Sequence, residues 1–107
     1  MKILNYTPHE ITLVGSDGAS TTFPSVGIAR CNEVKRVVGS AGGYPLYSIS
    51  YGDLSGLPAQ TQDTILIVSA IAAQAAKAAG RADCYIVADT IRNEKGQIVG
   101  AKGLAVV

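Results

Sequence analysis

Tryptophan is absent from this 107-residue chain, and phenylalanine, methionine and histidine occur once each. Charge is also scarce. Charged residues make up 16% of the chain, where an average globular protein has about 25%. The net charge is +1, and no lysine or arginine block occurs, so the electrostatic footprint of a duplex-binding protein is missing. The two cysteines, Cys31 and Cys84, lie far apart with no CxxC between them. With one histidine they give no zinc spacing. They read as reduced thiols, which fits a cytoplasmic setting. Neither a metal nor a cofactor is expected. The start, Met1-Lys2-Ile3-Leu4, meets polar Asn5 and Thr7 at once and lacks the apolar core of a signal peptide. The longest apolar run, Ile65 to Ala73, is broken by Ser69 and falls well short of the ~20 residues of a membrane span.

What is present is a small apolar domain. Hydrophobic residues reach 48%, and a greasy, sparsely charged surface predicts a homo-oligomer. The length fits one domain, residues 1–107. Ile3–Tyr6 and Ile11–Val14 read as strands joined through Thr7-Pro8. Gly15-Ser16-Asp17-Gly18 is hairpin chemistry, with Thr21–Phe23 returning. Gly27–Val38 reads as a longer strand and Gly39–Gly43 as a flexible loop. Tyr44–Tyr51 alternates, with Tyr47, Ile49 and Tyr51 on one face and Leu46, Ser48 and Ser50 on the other. Gly52–Gln62 reads as a loop.

Thr64–Val68 is an unbroken aliphatic run, as in a strand buried on both faces. Ala70–Ala79 is nearly all alanine, the best helix former, and Gly80 is a helix stop. Cys84–Ala88 is strand again. Strand, helix, strand predicts a βαβ unit with a parallel crossover. Asn93–Gly96 is a turn, and Leu104–Val107 a last strand. The expected class is α/β of α+β character: a β-rich mixed sheet with antiparallel hairpins and one Ala-rich helix. Only Gln74 and Lys77 interrupt that helix with polar side chains, so it must be covered on more than one side.

Candidate site residues follow from this layout. Ser69 ends a parallel strand and starts the helix. Ligands gather at the carboxyl ends of such strands, and a helix N-terminus offers free N–H groups to an anion. Asp89 and Thr90 are expected to end the neighbouring strand at the same edge. Arg92 follows, a residue that forks onto phosphate or stacks on a base. Tyr6 and His9 flank the Thr7-Pro8 turn and complete the set. Thr7-Pro8-His9-Glu10 has the spacing of a capping box and predicts one helical turn or a β-turn. The residue types of a hydrolytic triad exist in Ser69, His9 and Asp89. Val68-Ser69-Ala70 lacks the glycines of a nucleophile elbow, however, and no P-loop or GxGxxG is present.

Several stretches together resemble a family of small uncharacterised proteins encoded in tailed-phage and prophage genomes. They are Leu4-Asn5-Tyr6-Thr7-Pro8-His9-Glu10-Ile11, Tyr51-Gly52-Asp53-Leu54-Ser55-Gly56-Leu57-Pro58, Ile67-Val68-Ser69-Ala70, Gly80-Arg81-Ala82-Asp83 and Arg92–Gly100. The resemblance implies a setting, the cytoplasm of an infected bacterium, and no mechanism. Some small phage proteins are oligomers that sequester nucleotide signals of host immunity. By that analogy the expected role is a homo-oligomer holding a small anionic ligand at Ser69, Asp89, Thr90, Arg92, His9 and Tyr6. The alternative is a protein–protein interaction or structural module, with Tyr47 and Tyr51 as anchors. A small hydrolase is the third reading.

Overall fold

A computed structural model describes residues 1–107. The chain orders β1 (Lys2–Asn5), β2 (Ile11–Val14), β3 (Ser20–Phe23), β4 (Arg30–Ala41), β5 (Tyr44–Ser55), β6 (Thr64–Ile67), α1 (Ala70–Ala78), β7 (Cys84–Arg92) and β8 (Ile98–Ala105). Six strands form one mixed sheet in the order β1-β6-β7-β8-β2-β3. The first three run parallel, with Leu4 beside Leu66 and Ile67 beside Tyr85. The β7–β8 and β2–β3 pairs are antiparallel, and β2 lies parallel to β8. The fold is therefore β-rich with one helix, and β6-α1-β7 is the expected βαβ unit.

The core sits where α1 meets the sheet. Leu66, Val68 and Cys84 pack against Ala72, Ala73 and Ala76. Alanine at those positions lets the helix axis approach the strands closely. Leu54 and Leu57 close over the same cluster from β5 and the loop beyond it. The helix is thus covered by the sheet and by its own chain's β5. Its start is capped by Ser69, whose Oγ accepts from Ala72 N–H at 3.3 Å. Gly80, with φ +85°, ends it: Gly80 N–H donates to Lys77 C=O and Arg81 N–H to Ala76 C=O, the paired bonds of a Schellman stop.

Strands β4 and β5 leave the body as a two-stranded ribbon. Strand β5 is longer than the sequence predicts, and β4 has the expected length but lies three residues further along the chain. The expected loop at Gly39–Gly43 shrinks to Gly42-Gly43, whose φ values of +56° and +84° match a two-residue hairpin turn. Gly39, Ser40 and Ala41 remain in strand, because they pair with Leu46, Pro45 and Tyr44. At the other end Gly52–Ser55 stays in β5, since Cys31 and Arg30 supply partners. The expected strand from Gly27 begins instead at Arg30. Residues before it run alongside Tyr6, where Ala29 N–H donates to Tyr6 C=O at 3.0 Å.

The protruding ribbon sets the shape. The radius of gyration is 16.5 Å, against about 13 Å for a compact chain of this length. Only 10 of 107 residues are buried, because a two-stranded ribbon has no second layer to hide its faces.

Candidate functional site

The parallel strands β1 and β6 end at the same edge of the sheet, and each end is built differently. Beyond β1 the chain turns through Thr7-Pro8-His9, and the organiser of that turn is Asn5. Asn5 is only 1% exposed. Its Nδ2 donates to the carbonyls of His9 (2.7 Å) and Phe23 (2.9 Å). Its Oδ1 accepts from the Thr7 amide (2.9 Å) and the Thr7 hydroxyl (2.6 Å). The turn is therefore an Asx-type turn closed from behind. The helical turn capped by Thr7 does not form, because Thr7 Oγ1 points back to Asn5 and His9 rather than to Glu10. His9 contributes its backbone carbonyl to this network, and its exposed imidazole makes no hydrogen bond within the chain.

Tyr6 lies level with the end of β6, where Tyr6 N–H donates to Ile67 C=O at 2.8 Å. Its ring is half-buried against the core, and it lies over Gly27, where any Cβ would sit 2.8 Å from a ring carbon. That glycine is what lets the aromatic ring down onto the backbone. Ser69 is exposed at the same edge. Its hydroxyl is engaged as helix cap, and no acidic residue occupies the first helical turn.

Strand β7 does not end with its neighbours. It runs on through Asp89 and Thr90 to Arg92, because β8 pairs with it over that whole length. Asp89 and Thr90 therefore sit inside a strand and not at its end. The β6–β7 register places Val87 about level with Ser69. At about 3.3 Å per residue, Asp89 lies roughly 7 Å and Arg92 roughly 16 Å further along. Asp89 has a left-handed backbone, φ +53°, a conformation tolerated by Asp but uncommon in a strand. The guanidinium of Arg92 closes the β7–β8 turn by donating to Gly96 C=O at 2.7 Å. The edge thus brings together the Tyr6–His9 turn and Ser69, with Asp89 and Thr90 further out and Arg92 remote. None of the six lines a cavity.

The largest concave feature lies on the other side of α1. It is a groove of about 510 Å³ between the ribbon base and the helix, lined by Tyr51, Asp53, Leu54, Leu57, Ala78 and Arg81 among others. Sequence reasoning missed it. The available signal was the alanine spacing Ala75, Ala78, Ala79, which leaves a smooth open stripe on a helix that already buries Ala72 and Ala76.

Beside this groove stands a knot of titratable groups that the sequence reading also passed over. Arg81 grips Asp83 with two bonds, Nε to Oδ1 at 3.0 Å and Nη2 to Oδ2 at 2.8 Å. Nη2 also donates to Pro58 C=O at 2.8 Å, which ties the loop after β5 to the helix end. The hydrogen bonds from Arg81 hold the Asp83 carboxyl below its usual range against the opposing effect of burial. Asp83 in turn raises Arg81. Burial, helped by the neighbouring Asp83 charge, pushes the Cys84 thiol up to about 11. Cys84 is therefore a protonated core residue and not a reactive thiolate.

No helix is long and apolar enough to cross a membrane. Comparison of the chain with models of protein families, with characterised proteins and with solved structures returns no match.

Proposed function

We propose that the chain is a homo-oligomeric binding protein of phage type. The observation that carries this reading is the uncovered ribbon. Val34, Val37, Val38, Tyr44, Leu46, Tyr47, Ile49 and Tyr51 are all between 43% and 76% exposed. From Val37 to Gly52 there is not one charged side chain. Uncharged exposed strands of this length are aggregation templates unless something covers them. Native mass spectrometry at micromolar concentration tests the oligomer, and a monomer removes it.

The bound species is a small anionic ligand, of the class of the nucleotide signals that host defences use. Support comes from the sheet edge, where the Tyr6–His9 turn and the exposed Ser69 meet a helix start free of acidic side chains. A thermal-shift screen against cyclic dinucleotides and ADP-ribose derivatives tests it on the wild type and on Ser69→Gly. Glycine costs a helix cap only a few tenths of a kcal/mol, so a lost ligand response is separable from lost stability. If no nucleotide moves the melting point of the wild type, the ligand reading falls.

A second reading, a protein-interaction module, is favoured by the exposure of Tyr47 and Tyr51. Aromatic side chains of this kind anchor interfaces. One stoichiometric partner recovered with the wild type and lost with Tyr47→Ser would support it.

A further inference from the structure

The ribbon contains a palindrome. Residues Tyr47-Ser48-Ile49-Ser50-Tyr51 read the same in both directions. They lie in β5, whose inner edge pairs with β4 and whose outer edge carries no strand. Tyr47, Ile49 and Tyr51 share the face of Val37, Lys35 and Glu33, while Ser48 and Ser50 share the face of Arg36 and Val34.

We propose that β5 pairs with β5 of a second copy of this chain, antiparallel and about a twofold axis at Ile49. The resulting sheet has the order β4-β5-β5-β4 across the two copies. The inference rests on the self-association proposed above and names its surface.

Three observations select a second copy as the occupant. The first is the palindrome. An isologous contact requires that residue i meet j whenever j meets i. With the axis at Ile49, Tyr47 of one copy lies opposite Tyr51 of the other, Ser48 opposite Ser50, and Ile49 opposite itself. Each cross-strand pair within the palindrome then joins like with like on the same face, and aromatic and β-branched pairs are the favourable ones. The second is charge. No acidic or basic group lies between Val37 and Gly52, so neither copy opposes a like charge at the seam and a charged partner finds no counterpart. The third is the edge itself. β5 runs twelve residues, Tyr44–Ser55, with no strand on its outer side, so it presents the row of unpaired N–H and C=O groups on which another strand pairs.

Of the palindrome only Tyr51 lines the groove beside α1; Tyr47 to Ser50 lie further along the ribbon toward its tip.

The test uses Ile49→Glu and Ile49→Lys on the full chain. Within one copy Ile49 lies opposite Lys35, so glutamate is accommodated there, and Ile49 is half exposed, so the fold does not depend on it. Across the axis two glutamates face each other. The expected result is a dimer for wild type and a folded monomer for Ile49→Glu, with association weakened at least tenfold. Native mass spectrometry reads the mass and circular-dichroism melting reads the fold. An equimolar mixture of Ile49→Glu and Ile49→Lys is expected to restore a mixed dimer. As an independent reading, Ile49→Cys with Cys31→Ser is expected to form a disulfide dimer under mild oxidation. Ser55→Cys with Cys31→Ser is not, since the two Ser55 positions lie about 40 Å apart.

A wild-type dimer that survives Ile49→Glu, or cross-links through Ser55→Cys and not Ile49→Cys, overturns the β5 seam and leaves self-association standing. A monomeric wild type overturns both.

Discussion

Replacing Asn5 by aspartate exchanges an NH₂ group for an oxygen and leaves the shape alone, so it isolates what holds the first turn together. Asn5 is sealed from water, 1% exposed, and makes four hydrogen bonds. Two of them use its NH₂ group to satisfy the carbonyls of His9 and Phe23. A carboxylate cannot donate. Both carbonyls lose their partner and face a negative oxygen instead. A buried acceptor left unsatisfied costs about 1–3 kcal/mol, so the pair gives about 3 kcal/mol at pH 7, with carboxylate burial adding to it. For a domain whose total stability is about 5–15 kcal/mol, this is a large loss. It corresponds to a fall in Tm of about 15 °C at roughly 5 °C per kcal/mol. The pH dependence carries the sign of the argument. Burial among carbonyls raises the folded pKa of the introduced carboxyl above its unfolded value of about 3.9. The protonated form regains one O–H donor. Relative to wild type, the Asn5→Asp variant must therefore gain stability as pH falls below neutral and lose it as pH rises through the raised folded pKa. Urea unfolding of both proteins between about pH 4 and pH 7 measures this. A variant as stable as wild type at neutral pH, or a gap that widens on acidification, refutes the hydrogen-bond account of the turn.

Three further outcomes follow from other parts of the fold. Gly56→Ala should destabilise by about 1–3 kcal/mol or more, because Gly56 has φ +88° and a Cβ there collides with the carbonyl oxygen of Ile28; a thermal melt decides it, and a shift under about 5 °C contradicts the geometry. Arg81→Ala should cost about 3–5 kcal/mol, since it strands the Asp83 carboxylate, which is 6% exposed. The effect should shrink below about pH 4, where Asp83 is protonated in the unfolded chain and the contribution of its depressed pKa fades. Cys84 has the opposite sign. Its folded value of about 11 exceeds the unfolded thiol value, so its contribution is complete below about pH 8.5 and is lost as pH rises toward 11. Cys84→Ala should flatten that alkaline loss in chemical denaturation.

The βαβ unit was legible because each of its parts follows from residue type. An aliphatic run, a serine cap, an alanine block and a glycine stop leave one arrangement open. The ribbon was half legible. Alternation announced Tyr44–Tyr51, but Gly39-Ser40-Ala41 and Gly52-Asp53 have poor strand propensity and read as loop. Gly39-Ser40-Ala41 are strand because Leu46, Pro45 and Tyr44 face them, and Gly52-Asp53 are carried through an irregularity between the Tyr51–Glu33 and Leu54–Cys31 pairs; pairing overrides propensity. The candidate site was legible only at its edge. Ser69 and Tyr6 fall together because both follow the ends of parallel strands. Asp89 and Arg92 separate from them because β8 keeps β7 extended, and the length of a strand is set by what pairs with it as much as by its own residues. The Thr7–Glu10 spacing pointed to the wrong side chain, since the organising group was Asn5, two residues upstream of the motif.

The strand order has a consequence for how the chain folds as it is made. Lys2 pairs with Thr64, and Leu13 with Ala101. Strands β1 and β2 must wait for partners that are synthesised much later. Until then only the β2–β3 hairpin and the ribbon have local partners. Such high contact order slows folding and leaves apolar β1 and the uncharged tip of the ribbon exposed on the ribosome. Strand β8 is the lock of the sheet: it joins β7 on one side to β2 on the other. A nascent chain stalled before Ile98 is thus expected to leave β2 and β3 protease-sensitive, and emergence of Ile98–Ala105 to bring them into the resistant sheet in one step.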